Sequence, residues 1–263
     1  MTMPNMFRLD GCTAFVSGAA GHLGRSMTRI LCEAGAKVII NGRDDGRLKD
    51  FEGELSGEGF SCERATFDMG DIDRVRAFFA GRERLDILVN NAVSMTPKPF
   101  AALEPRDFAA TYASSVTASF EAVRASLPAL RKAVQATGEA RVVNIASMYA
   151  CVAPDKRIYA KPEQASPFHY GPAKAALLQL TRHLAAELGP EHIRVNALIP
   201  GPFPRPQVSQ DDPAFAARLA GRTMLARLGE TSEIAGPLLF LASKASSYVT
   251  GASVPVDGGW TQW

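Results

Sequence analysis

The chain has 263 residues, 46% of them hydrophobic, and a formal net charge of only +2, so it can bury a sizeable core. Its Lys and Arg are spread along the sequence without a basic cluster, which argues against a nucleic-acid partner, and no apolar run approaches the roughly 20 residues that cross a bilayer. The opening MTMPNMFRLDG lacks the basic and then apolar regions of a signal peptide, so a cytoplasmic protein with no membrane partner is expected.

Cys12-Thr-Ala-Phe-Val-Ser17 reads as a buried first strand. From Leu23 onward Met27, Ile30, Leu31 and Ala34 recur at helical spacing, and Gly35 follows as a stop. Further strands are expected at Lys37–Asn41, Cys62–Phe67, Leu85–Asn90, Arg141–Ala146 and Ile193–Leu198. Ser253–Val256 should be the last and an edge strand, because Pro255 lacks the N–H that a central strand needs. Helical patterns are clearest over Pro105–Lys132, as one helix or a broken one, and over Ala173–Leu188. Strands apolar on both faces, each followed by a helix, imply a doubly wound α/β fold, a parallel sheet of Rossmann type with helices on both faces. No repeat, linker or composition shift divides the chain, so one domain over 1–263 is expected. Ala150–His169 and Pro200–Pro213 read as long irregular stretches, a length more often functional than decorative. Cys12, Cys32, Cys62 and Cys151 have no paired spacing and are expected to be small, buried free thiols, with no metal site.

The turn Ser17-Gly18-Ala-Ala-Gly21-His22-Leu23-Gly24 joins the first strand to the first helix. Glycines there let backbone approach a pyrophosphate, which the unpaired N–H groups of the helix start would bind. The second strand ends Asn41-Gly42-Arg43-Asp44, with glycine where an acid for a free ribose 2′-hydroxyl is expected. Arg43 can pair with a 2′-phosphate, so NADP(H) is favoured over NAD(H). Asp44 beside it keeps NAD(H) open.

Tyr170-Gly-Pro-Ala-Lys174 places a phenol and an ammonium four residues apart on one helix face. A free tyrosine has a pKa of about 10, and a nearby positive charge would lower it toward the range useful for proton transfer. Ser147 directly follows the fifth strand, at the end of the sheet where ligands bind, and its hydroxyl could bond a reacting oxygen.

In this order the motifs resemble the single-domain short-chain dehydrogenase/reductases, from about Leu9 to Gly259. The resemblance includes Asp68-Met69, Asn90-Asn91-Ala92, Asn144-Ile-Ala-Ser147, Pro200-Gly201 and Val256-Asp257-Gly258-Gly259. It implies a catalytic set of Ser147, Tyr170 and Lys174. It also implies cofactor contacts at Gly18, Gly21, His22, Leu23, Gly24, Arg43, Asp68, Met69, Asn90, Ala92, Tyr170, Lys174, Pro200 and Gly201, and a homo-oligomer, tetramer or dimer. Three departures stand out. His22 replaces the middle glycine of the usual turn, Ser115 aligns with an asparagine that in the family helps hold a water, and Pro204 falls where a cofactor-contacting threonine is common. Ile40-Asn-Gly-Arg43 looks like gluconate 5-dehydrogenases. The long Ser147–Tyr170 spacing and the Trp260…Trp263 ending look like a branch linked to bacterial surface-sugar and flagellin-glycan pathways. The implied activity is exchange of a secondary alcohol with a ketone on a small polyhydroxylated or acidic substrate. A nicotinamide-binding regulator or scaffold that has lost catalysis is the alternative. Arg157 or Lys156 could meet a substrate anion, and Trp260 and Trp263 could pack at a subunit interface.

Overall fold

The computed structural model describes residues 4–160 and 165–263. Residues 161–164, within the long stretch expected between Ala150 and His169, lie outside the described residues. In chain order the main elements are β1 (Thr13–Val16), α1 (His22–Glu33), β2 (Lys37–Gly42), α2 (Asp45–Gly57), β3 (Cys62–Thr66), α3 (Ile72–Ala80), β4 (Ile87–Asn90), α4 (Pro105–Tyr112), α5 (Ala118–Thr137), β5 (Ala140–Ile145), α6 (Tyr170–Leu188), β6 (Ile193–Pro200), α7 (Pro206–Asp211), α8 (Pro213–Ala220), α9 (Ala235–Ala242) and β7 (Ser253–Val256). The described strands form one seven-stranded sheet in the order β3-β2-β1-β4-β5-β6-β7, with every neighbouring pair parallel.

Alternation along the strands sends side chains into two cores. Ala14, Val16, Val38, Ile40, Ile87 and Val89 pack with Met27 and Leu31 of α1, Phe51 of α2 and Leu238 of α9. The intervening Phe15, Ile39 and Leu88 face the other way, against Val75 of α3, Leu130 of α5 and Leu184 of α6. Both faces of the sheet are therefore covered, which is why the strand sequences read as continuous apolar runs. The chain winds from β1 to β2 and β3 on one side, then crosses back to β4 on the other. That reversal opens a crevice at the carboxyl ends of β1 and β4, the position where doubly wound sheets bind ligands.

Pro255 sits on β7 at the sheet edge, opposite Ile199. The long helix expected over Pro105–Lys132 is interrupted: α4 ends at Tyr112, a π-helical turn occupies Ala113–Thr117, and α5 follows. The stretch 200–213, read as irregular, contains α7 and the start of α8, each opened by a proline in its first turn, where the missing N–H costs nothing. Cys151 departs from the expectation of a buried thiol, being exposed. No helix of the described residues is long and apolar enough to cross a membrane.

Candidate active site

A cleft of about 750 Å³ lies along the carboxyl ends of the strands. Its walls come from the turn after β1 (Gly18, Gly21, His22, Leu23) and from Arg43 and Asp44 after β2. Asp68 and Met69 after β3, Ala92 after β4, Ser147 after β5, and Pro200 and Gly201 at the end of β6 complete them, with Tyr170 and Lys174 from α6. Residues far apart in sequence thus converge on one space, in the volume range of clefts that hold cofactors.

The glycine turn is close-packed backbone. Gly18 adopts φ +64°, and a Cβ on Gly24 would stand 2.1 Å from the Gly18 carbonyl oxygen. Gly24 is therefore buried beneath the turn and does not line the cleft, contrary to its expected role as a contact. Gly24→Ala should cost about 1–3 kcal/mol of stability, measured by denaturant unfolding, because backbone rather than a mobile side chain blocks the methyl group. Gly21 is the N-cap of α1 and offers no side-chain cap, so the first N–H groups of the helix are left for another acceptor. A glycine-lined helix start with uncapped donors, facing a cleft of this size, fits a dinucleotide phosphate.

Ser17 supplies the side chain that ties this turn to β4. Its hydroxyl accepts from the N–H groups of Asn91 (2.9 Å) and Ala92 (3.0 Å) and donates to the Val89 carbonyl (3.2 Å). The Asn91 amide donates to the carbonyls of Ser17 (2.9 Å) and Gly18 (3.1 Å). Asn90, expected near the cofactor, instead points beneath the cleft. It is buried and donates to Asn144 Oδ1 (2.9 Å), which in turn donates to Thr181 Oγ1 (2.9 Å). The doublet was visible in the sequence, but strand pleating turns only its second member toward the glycine turn.

Beyond β2, Asp44 is occupied as the N-cap of α2, accepting from the Arg47 N–H at 3.0 Å. Its carboxylate thus has a structural task, and Arg43 is the side chain presented to the cleft. Arg43 lies 3.5 Å from Asp68, both of them exposed. Arg47 and Arg205 also line the cleft, and neither appeared in the sequence reading.

On the opposite half, Ser147 leaves β5 in extended conformation and opens a one-turn helix, accepting from the Tyr149 N–H at 3.2 Å. The first turn of α6 presses on this turn, with a Cβ on Gly171 placed only 2.8 Å from the Tyr149 carbonyl. This contact sets Tyr170 beside Ser147 on the wall of the cleft. Lys174 is buried on the same helix face, with Nζ donating to the Ile145 carbonyl at 2.7 Å and 5.9 Å from the Tyr170 ring centre. Burial lowers the Lys174 ammonium to about 8. It raises the Tyr170 phenol above its ordinary value, and the neighbouring Ser147 hydroxyl pulls the other way. The expectation of an ammonium-lowered phenol is therefore replaced: desolvation dominates at this tyrosine, and the serine is what opposes it.

Several other expectations are redirected. Ser115 is buried in the π-helical turn with its hydroxyl unpartnered, while the neighbouring Ser114 lines the cleft and donates to the Ser94 carbonyl at 3.0 Å. Arg157 is ion-paired with Asp155 at 2.8 Å, is 86% exposed and lies off the cleft. Lys156 stacks over Phe168, also away from it. His169 is buried and bonded through Nδ1 to Thr111 (2.9 Å), anchoring α6 to α4. Trp260 is packed within its own chain against Met148, Ile158 and Leu219, and Trp263 is exposed.

Residues 18–261 match the family model described as enoyl-(acyl carrier protein) reductase. The chain is also 35% identical over 261 residues to the rhamnolipids biosynthesis 3-oxoacyl-[acyl-carrier-protein] reductase of Pseudomonas aeruginosa, covering 97% of this chain and 98% of that one. The chain is a short-chain dehydrogenase/reductase. Among solved structures, this short-chain dehydrogenase/reductase resembles the Pseudomonas aeruginosa RhlG/NADP active-site complex, with a TM-score of 0.88 and 33% identity over 98% of this chain and 100% of that one. It also resembles a gluconate 5-dehydrogenase from Burkholderia cenocepacia in complex with NADP and tartrate, with a TM-score of 0.85 and 32% identity over 98% of both chains. Members of this kind are oxidoreductases acting on CH–OH groups, and sugar-acid dehydrogenases are among the relatives.

Proposed function

We propose that this short-chain dehydrogenase/reductase is an NADP(H)-dependent enzyme that interconverts a secondary alcohol and a ketone on a small polyhydroxylated or acidic molecule. One observation carries the reading: Ser147, Tyr170 and Lys174 meet on one wall of a cleft whose other end is an uncapped, glycine-lined helix start. A nicotinamide dinucleotide bound there supplies the hydride acceptor or donor. Its phosphates would rest against Gly21 on the N–H groups of His22 and Leu23, with Arg43 and Arg47 beside the adenosine ribose. Asp68, Met69, Ala92, Pro200 and Gly201 would bound the rest.

The protein's own part is proton transfer and orientation. Ser147 and Tyr170 would both hydrogen-bond the reacting oxygen and hold it in place. Because burial keeps the phenol protonated, Tyr170 is poised to give its proton to a ketone oxygen as negative charge develops there. Lys174, lowered to about 8, can give up and regain a proton near neutral pH and so restore the phenol.

A cation on the wall, Arg205, suits an anionic or polyhydroxylated substrate. Val93, Met95 and Phe203 on the same cleft favour a second reading, a 3-oxoacyl substrate. Turnover of NADPH and NADP⁺ over a panel of keto-sugars, sugar acids and short 3-oxoacyl thioesters separates the two, and activity on none of these ketones or alcohols would reject both. Arg43→Ala should raise KM for NADPH about tenfold, the loss of a solvent-exposed charge-assisted contact, and leave KM for NADH nearly unchanged. Equal effects on the two cofactors would remove Arg43 from phosphate recognition. We also expect a homo-oligomer, tested by light scattering of the purified protein.

A further inference from the structure

His22 is the first residue of α1 and stands where glycine turns of this kind commonly carry glycine. Its ring reaches across the cleft: Nε2 lies 3.0 Å from the carbonyl oxygen of Phe203. Both residues line the cleft. In the sheet order β1-β4-β5-β6, His22 follows β1 and Phe203 follows β6, so the bond spans the ends of β4 and β5. At a strand spacing of about 4.8 Å, three steps make a reach of roughly 14 Å. Ala92 and Ser147, which follow the two strands in between, line the same cleft.

Phe203 is held on its far side as well. Gly201 N–H donates to the Val256 carbonyl (2.9 Å), and Gly229 N–H donates to the Pro202 carbonyl (3.1 Å). The Phe203 ring covers Gly229 so closely that a Cβ there would stand 2.5 Å from it. Three fixed points therefore present the Phe203 carbonyl toward the glycine turn, and the imidazole meets it as a donor. No other side-chain hydrogen bond among the described residues joins the turn after β1 to the segment after β6.

We infer that His22 is a clasp: its bond to Phe203 closes the cleft over the reacting half of the dinucleotide and limits the rate at which cofactor enters and leaves. This inference rests on the proposed dinucleotide site. Opening the clasp requires only breaking one hydrogen bond and swinging one ring, so its removal should accelerate exchange without abolishing binding. His22 is in this sense a positioning residue, acting through the Phe203 segment.

The test is stopped-flow measurement of NADPH binding and displacement by its fluorescence. His22→Ala should raise the association and dissociation rate constants together, about three- to tenfold, a factor matching one lost hydrogen bond, with Kd moving less than about twofold. His22→Gln, whose amide can still donate to the carbonyl, should restore slow exchange. Gly229→Ala, which displaces the Phe203 ring, should reproduce the faster exchange, and combining it with His22→Ala should add nothing further. Unchanged rate constants in His22→Ala would overturn the clasp. So would a rise in dissociation alone with Kd weakened in proportion, which would make His22 a direct contact. Wild-type protein that fails to bind NADPH would overturn the dinucleotide site itself, a result distinct from normal binding with unaltered exchange.

Discussion

Tyr170→Phe is expected to lower kcat by about a thousandfold, in the range spanned by a lost general acid or base, while Kd for NADPH stays within about twofold. The phenyl ring fills nearly the same volume between α6 and the turn after β5, so the fold and the cleft wall survive. Only the hydroxyl is lost, and with it the proton that would pass to or from the reacting oxygen. Ser147 remains, but an alcohol with no neighbouring base makes a poor substitute donor. Burial holds the Tyr170 phenol above its ordinary value, so across neutral pH the resting group is the acid form that ketone reduction needs. Retention of normal kcat in the phenylalanine variant, with substrate turnover followed by NADPH absorbance, would remove Tyr170 from the chemistry. Parallel loss of cofactor binding would instead mark it as a wall of the cleft.

The strands were legible because burial on both faces leaves a signature that survives in one dimension: Val38-Ile39-Ile40 and Ile87-Leu88-Val89 are apolar at every position because each residue meets a different core. Helices were less so. The buried positions of α2, Leu48, Phe51 and Leu55, are set among Gly46, Gly53 and Gly57, which blunt the helical period. The π-helical turn at Ala113–Thr117 adds a residue to one turn and shifts the phase of the pattern expected over Pro105–Lys132. The position of the crevice at the carboxyl ends of the strands followed from the doubly wound arrangement and needed no side-chain detail.

Within the site, motif order marked the neighbourhood, and side-chain direction decided the members. Asn90 and Asn91 are adjacent letters whose side chains go to opposite sides of the β4 end, one to Asn144 and one to the glycine turn. Arg157 looked available as an anion receptor, but Asp155 two positions earlier claims it on the protein surface. Arg205, unremarked between two prolines, is brought to the cleft because β6 delivers the chain there before α7 begins. The His22–Phe203 bond joins residues 181 positions apart, a distance at which no local pattern speaks.

Lys174→Met should reduce kcat about a hundredfold and at the same time make the protein more stable at pH 7. Lys174 is 3% exposed, and burial brings its ammonium from 10.5 down to about 8. Below pH 8 the folded and unfolded chains both carry the charged lysine, and the folded state bears the full cost of burying it, roughly 3 kcal/mol at 1.36 kcal/mol per pKa unit. Between about 8 and 10.5 the folded lysine sheds its proton before the unfolded one does. Stability from this group therefore rises with pH through that window, and the cost is gone above it. Methionine has a similar length and no charge. It also leaves the Ile145 carbonyl without its donor, an offset of about 1 kcal/mol. The net gain of about 2 kcal/mol corresponds to a Tm increase of roughly 4–8 °C at pH 7, and the advantage should shrink to about 0.4 kcal/mol at pH 9.5. A Tm that drops in Lys174→Met, or a difference that does not shrink with rising pH, would mean the lysine is not held in the cleft at the expense of stability. The outcome expected is the trade common to functional sites, in which a buried charge kept for proton transfer weakens the fold that positions it.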